Sequence, residues 1–162
     1  MGANILNFSV KHAVVGTFKL KATRAGHIYN IKVKDVILDN GIIVKKGAKV
    51  KGTLDVYEQA AASSTFKGEI LGVAGNGNFY VEVKELDGDL LVAQVVTIYE
   101  DYTKSCQHES NFFNEKDDIV RTYELYVGDI FELSAEGFTA IPSEGDEVVV
   151  DSVSKKLKKA GA

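Results

Sequence analysis

The stretch Phe79-Tyr80-Val81-Glu82-Val83-Lys84-Glu85-Leu86-Asp87-Gly88-Asp89-Leu90-Leu91-Val92 alternates apolar and polar side chains, turns at Asp-Gly, and resumes as an apolar run. A period of two is the mark of a strand, because successive side chains leave opposite faces of the pleat. Asp87-Gly88 supplies the positive φ angles of a tight type I′ turn, so the sequence predicts a hairpin here. Residues 90–98 are apolar apart from Gln94 and Thr97, as a central strand covered on both faces would be.

The same grammar extends in both directions. Phe18 and Leu20 alternate with Lys19 and Lys21, and Ile31 and Val33 alternate with Lys32 and Lys34. Asp39-Asn40-Gly41 separates two short apolar runs and predicts a second hairpin, while Gly75-Asn76-Gly77-Asn78 predicts a third turn. Residues 123–127 and 130–133 read as strands joined at Gly128-Asp129, and residues 147–151 read as a strand reached through Gly145-Asp146. Fifteen glycines against one proline, Pro142, fit a chain with many tight turns. Helical periodicity is scarce. Residues 56–63 could form one or two turns around Ala60-Ala61-Ala62, and residues 110–121 read as a short helix or a long loop. The expected fold is all-β: a single compact barrel or sandwich of antiparallel strands with hairpins and at most short helical turns. Residues 1–25 read as an N-terminal arm or first strands, and residues 26–162 as one β domain with a long polar loop at 100–121.

Composition narrows the function classes. A chain of 162 residues can bury a sizeable core in one domain, and 45% hydrophobic with 26% charged residues excludes a disordered chain. One cysteine excludes an internal disulfide framework and a multi-cysteine zinc site. No apolar run reaches the ~18 residues of a membrane span, and no signal-peptide core is visible, so no membrane partner is expected. The net charge of −4 conceals a polarity along the chain. Residues 1–50 hold nine basic and two acidic residues, residues 51–100 three and eight, residues 101–154 three and thirteen, and residues 155–162 four lysines. Such asymmetry suggests faces that meet different partners.

No arrangement with catalytic spacing emerges. Cys106, His108 and Glu109 lie close together, but His12 and His27 are distant and no second cysteine exists. Cys106 and His108, two apart in a loop, are poorly placed to pair as nucleophile and base, and no Gly-x-Ser-x-Gly elbow occurs. Gly72-Val73-Ala74-Gly75-Asn76-Gly77 lacks the Lys-Ser/Thr ending and following helix of a phosphate loop. The expectation is a protein that is not an enzyme, with no cofactor, no metal and no small-molecule ligand.

Nucleic acid is the rival partner class. Lys11, Lys19, Lys21, Arg24, Lys32 and Lys34 accompany Phe18 and Tyr29, a mixture found on barrels that bind single strands. Against it, the alternation puts Phe18 on the face opposite Lys19 and Lys21, hence in the core. The pI of about 5.4 is also far from the basic range of such domains. Nucleic acid is therefore not expected as the main partner.

Several stretches in order carry a likeness. Leu38-Asp39-Asn40-Gly41 leads into Val44-Lys45-Lys46-Gly47, then Leu54-Asp55-Val56-Tyr57. The apolar residues 90–96 precede Tyr99-Glu100-Asp101, and after a variable loop comes Val120-Arg121-Thr122-Tyr123-Glu124-Leu125. Then follow Val127-Gly128-Asp129-Ile130-Phe131-Glu132-Leu133-Ser134, Glu136-Gly137-Phe138, Glu144-Gly145-Asp146-Glu147-Val148 and Lys156-Leu157-Lys158. This ordered set, spanning residues 28–158, resembles the head-decoration and capsid-associated proteins of tailed bacteriophages. The resemblance implies a virion protein made in the host cytoplasm and placed on the outer capsid surface. There it would bind the major capsid protein and neighbouring copies of itself and stabilise the head; no catalytic residues come with it. Candidate contacts are Ile5 and Phe8 in the arm and the basic residues Lys11, Lys19, Lys21, Arg24, Lys32 and Lys34. A head-fibre base or tail protein is the first alternative, and a nucleic-acid-binding β-barrel the second.

Overall fold

A computed structural model describes residues 10–25, 27–96 and 109–162. Ile5, Phe8, Cys106, His108 and the first part of the polar loop lie outside the described residues, as does the side chain of Arg24. The fold is all-β, with no helix longer than the single turn α1 (Ala22–Ala25) among the described residues. The strands are β1 (Val15–Lys19), β2 (Ile28–Lys32), β3 (Ile37–Leu38), β4 (Ile43–Lys49), β5 (Val56–Ala61), β6 (Lys67–Val73) and β7 (Phe79–Glu85). They continue with β8 (Asp89–Val92), β9 (Asn114–Glu115), β10 (Ile119–Glu124), β11 (Ile130–Leu133), β12 (Glu147–Val150) and β13 (Leu157–Lys159).

Two assemblies share the chain. A closed five-stranded barrel runs β10-β2-β5-β4-β8, and a six-stranded sheet runs β1-β11-β7-β6-β12-β13. Strands β3 and β9 form a separate pair. Among the described residues the paired strands are antiparallel except β2 with β5, and one isolated parallel bridge joins Phe138 to Leu157. The barrel interior holds Ile31, Val33, Val44, Leu90, Val92 and Val120. The second core, under the sheet, holds Phe66, Ile70, Phe79, Val81, Phe131, Leu133 and Phe138. Alternation on the barrel strands serves both. Val44, Leu90 and Val92 point into the barrel, while Ile43 and Leu91 join the sheet core.

The turn residues sit where the sequence puts them, but two predicted hairpins are corners instead. Gly75 to Asn78 does join paired strands, β6 and β7. Asp87-Gly88 joins β7 of the sheet to β8 of the barrel, with Gly88 at φ +66°. The reason is Asp89, which is fully buried and accepts N–H bonds from Asp87 (3.0 Å) and Ser63 (2.7 Å) and the Ser63 hydroxyl (2.9 Å). That network draws the chain into the barrel. Asn40-Gly41 likewise fails to pair β3 with β4. The Asn40 side chain instead binds both backbone groups of Gln94 at 3.0 Å and accepts from Asn114 (3.2 Å), and β3 pairs with β9. Gly128-Asp129 is also a corner. The buried Asp129 accepts from the amides of Tyr126 (3.0 Å) and Lys21 (3.1 Å), tying the end of β1 to the turn. Gly145-Asp146 leads into β12 as expected.

Three further expectations need correction. Residues 56–61 are strand, not helical turns, because β4 and β2 pair with β5 from both sides and override the alanines. The apolar run from Leu90 is strand only to Val92. Finally, Phe18 is exposed at 62%, not in the core. The β1–β11 register slips between Gly16 and Lys19, and this bulge breaks the alternation that assigned Phe18 to the buried face.

Candidate functional site

An apolar recess lies where the barrel meets the sheet. Strand β2 pairs with β5 only from Val56 to Glu58, and β6 pairs with β12 only at Glu147 and Val148. Beyond those points β5 and β12 run on beside a trough of about 340 Å³ lined by Ile43, Val44, Ala60, Ala61, Ala62, Val149 and Val150. The alanines matter because larger side chains would fill the space. A second recess of about 170 Å³, lined by Ile37, Leu38, Asp39 and Ile42, shares Lys155 with the trough. Val36, Ile37 and Val153, near these recesses in sequence, are exposed at 77%, 52% and 88%.

A polar relay closes one end of the trough. Gln59 is buried, accepts the Lys34 amide (2.8 Å) and donates to the Asp35 carboxylate (2.9 Å). Asp35 also receives the Lys155 ammonium. Burial alone would raise the Asp35 pKa, but hydrogen bonds from Lys155 and Gln59 outweigh it and hold the group below its ordinary value. The C-terminal lysines are fastened in the same way. Lys158 meets Asp151 at 3.2 Å and Lys159 meets Asp146 at 2.8 Å. Backbone and hydroxyl bonds from Ser154, with Lys158, bring Asp151 down to about 2. Lys159 and the Ser143 amide lower Asp146. Three of the four tail lysines, Lys155, Lys158 and Lys159, are thus internal staples, which the sequence block did not disclose.

The basic candidates do not form one patch. Lys19 and Lys21 share a recess with the exposed Phe18 at the end of β1, an edge strand of the sheet. Lys32 pairs with Asp117 (3.3 Å), Lys34 is exposed beside the relay, and Lys11 donates to Asn111 (3.1 Å). A different basic–aromatic group exists at one end of the barrel. The Lys46 ammonium sits 4.5 Å from the Tyr29 ring centroid and 4.6 Å from that of Tyr57. Nearby, Glu124 meets His27 Nδ1 at 2.9 Å and accepts from the Tyr126 hydroxyl at 3.3 Å. Burial, then the Glu124 charge, raises the pKa of both Tyr29 and Tyr126, so these phenols stay neutral donors.

Sequence reasoning missed the trough. Its one signal, three consecutive alanines after Gln59, is read as helix-forming when the pairing partners are unknown. Among the described residues, no group of three or more His, Cys, Asp and Glu side chains is placed to hold a metal ion. No helix among them is long and apolar enough to cross a membrane. Comparison with protein-family models, curated proteins and solved structures finds no match to this chain.

Proposed function

We propose that this protein is a non-enzymatic structural component of a tailed-phage virion that binds the assembled major-capsid lattice and reinforces the head. The observation that carries the reading is the apolar trough between Ala60–Ala62 and Val149–Val150, where β5 and β12 are each paired along one edge only among the described residues. Its charged members are already paired, so it suits the side chains and backbone of another protein chain. The ordered turn-and-strand pattern that resembles decoration proteins points to the same class of partner. Weak contacts suffice on a lattice, where many copies bind a repeating surface. Each bound copy favours the closed shell over its dissociated parts by mass action.

The test uses heads assembled with and without the protein. Heads that carry it are expected to retain DNA to higher temperature, and purified protein is expected to saturate empty capsids at a fixed copy number. Ala61→Arg, which fills the trough, is expected to lower capsid affinity by about tenfold or more. Equal thermal stability of the two kinds of head, with no saturable binding, would overturn the reading. Localisation by electron microscopy separates a decoration role from a head-fibre base or a tail protein.

One observation favours a second reading, a single-strand-binding barrel. Phe18 is exposed and lines one shallow recess with Lys19 and Lys21, and Lys46 lies against two tyrosines on a closed five-stranded barrel. Retention on single-stranded DNA at ~150 mM salt, with steep salt dependence, is the expected result under that reading. Elution in the void at that salt removes it.

A further inference from the structure

Three features meet at the end of β1, away from the trough. Phe18 is exposed at 62% while Leu20, two residues on, is buried, because the register slip between Gly16 and Lys19 turns the ring outward. A bulge at a sheet edge re-aims a side chain, and this one aims the largest apolar side chain of β1 at solvent. Lys19 and Lys21 are exposed beside the ring and line the same recess, about 270 Å³ in volume. Among the described residues no carboxylate pairs with either ammonium. The corner that carries all three is fixed. The Leu20 amide donates to the Thr17 carbonyl (3.2 Å), the Lys21 amide donates to the buried Asp129 (3.1 Å), and Leu20 is plugged into the sheet core.

We infer that Phe18, with Lys19 and Lys21, is a second docking point on the capsid lattice: an aromatic anchor that enters an apolar socket rimmed by carboxylates on the partner protein. The inference goes beyond the trough and takes only the identity of the partner from the function just proposed. Lysines on an edge strand are ordinary protection against stray pairing, which accounts for Lys19 and Lys21 but not for the phenylalanine beside them. Rigid aromatic rings carry much of the affinity of protein contacts, and charges around them steer the approach and fix the register. The two ammonium groups give up no internal ion pair when a partner's carboxylates meet them. A corner already held by Asp129 and Leu20 has little freedom left to lose on binding.

The neighbouring charge favours a protein over a single nucleic-acid strand. A Cβ built on Gly16 would lie 3.3 Å from Glu132 Oε2 and 3.6 Å from Phe18 Cε1, so carboxylate and ring are neighbours. The side-chain amides of Asn76 (2.7 Å) and Asn78 (3.0 Å) hold that carboxylate in place. A strand with a phosphate at every nucleotide meets repulsion on the Glu132 side of the ring. A protein surface can set its carboxylates opposite the lysines alone.

The experiment measures co-sedimentation of the full chain and its variants with empty capsids across a salt series. Phe18→Ser is expected to lower capsid affinity about tenfold or more without changing the salt dependence, and Phe18→Trp to retain most of it. The double change Lys19→Glu with Lys21→Glu is expected to cost about tenfold or more at low salt and much less at high salt, whereas the double change to Arg keeps binding. Lys19→Glu alone replaces the double variant if that melts early. Natural affinity in Phe18→Ser, or in the charge reversal, overturns the inference. So does retention of the full chain on single-stranded DNA at ~150 mM salt that Phe18→Ser abolishes, since the ring then serves a nucleic acid. Ala61→Arg separates the two ideas. Capsid binding weakened by Ala61→Arg but by none of the β1 variants defeats this inference alone, whereas a full chain that never binds capsids defeats the underlying function and the inference with it.

Discussion

Leu133 is wedged between two glycines. A Cβ on Gly137 would come within 2.5 Å of Leu133 Cγ, and one on Gly41 within 2.3 Å of its Cδ1. Gly41 also has φ +87°, but Gly137 does not occupy the left-handed region, so Gly137→Ala isolates the steric effect. That variant is expected to lose ~1–3 kcal/mol in urea unfolding, and the double change with Leu133→Val to recover part of it. A single variant of native stability would mean that Leu133 is not held by its neighbours. Asp151 provides the residue-scale pH prediction. Its folded pKa of about 2 lies below the ordinary 3.8, so the unfolded chain takes up a proton first as pH falls. The stability that this group contributes is complete above ~pH 5 and is lost as pH falls through about 2. Asp151→Asn should therefore flatten the fall of the denaturant midpoint between those limits. An acid limb identical to that of the natural chain would contradict the assignment.

At the scale of elements, the period of two located strands well and assigned faces less well. Lys19 and Lys32 lie on strands, and Val81 and Val83 are buried as their alternation requires. Phe18 escaped the rule because a bulge leaves no mark in a single sequence. The consequence is measurable. Phe18→Ser should change stability by no more than ~0.5 kcal/mol, whereas a core phenylalanine would cost several times that. Corners were harder still. Asp87-Gly88 has the local chemistry of a hairpin, yet the three donors gathered by Asp89 send the next strand to another sheet. Asp89→Ala should leave those donors without their carboxylate and destabilise the fold by ~2–4 kcal/mol, read from thermal unfolding. A loss below ~0.5 kcal/mol would mean that the carboxylate does not direct the corner. Ala60-Ala61-Ala62 was misread for the converse reason, since helix propensity is a local property and strand pairing is not.

At the scale of the molecule, all-β architecture was legible in turns and alternation, while the division into barrel and sheet was not. Nor was the docking trough, because it is made by strands 90 residues apart in sequence that meet only after folding. The blocks of charge likewise lost much of their meaning once Lys155, Lys158 and Lys159 met Asp35, Asp151 and Asp146. Strands β4 and β8 give one face to the barrel interior and the other to the sheet core. Neither half holds a complete interior alone, so calorimetric and van't Hoff enthalpies should agree in a single transition. Two separated transitions would contradict the shared strands. The same sharing bears on inheritance. A recombination that joined the barrel of one such protein to the sheet of a diverged relative would mismatch Ile43 and Leu91 against a foreign interior, so selection should pass this chain on whole, without exchange of halves.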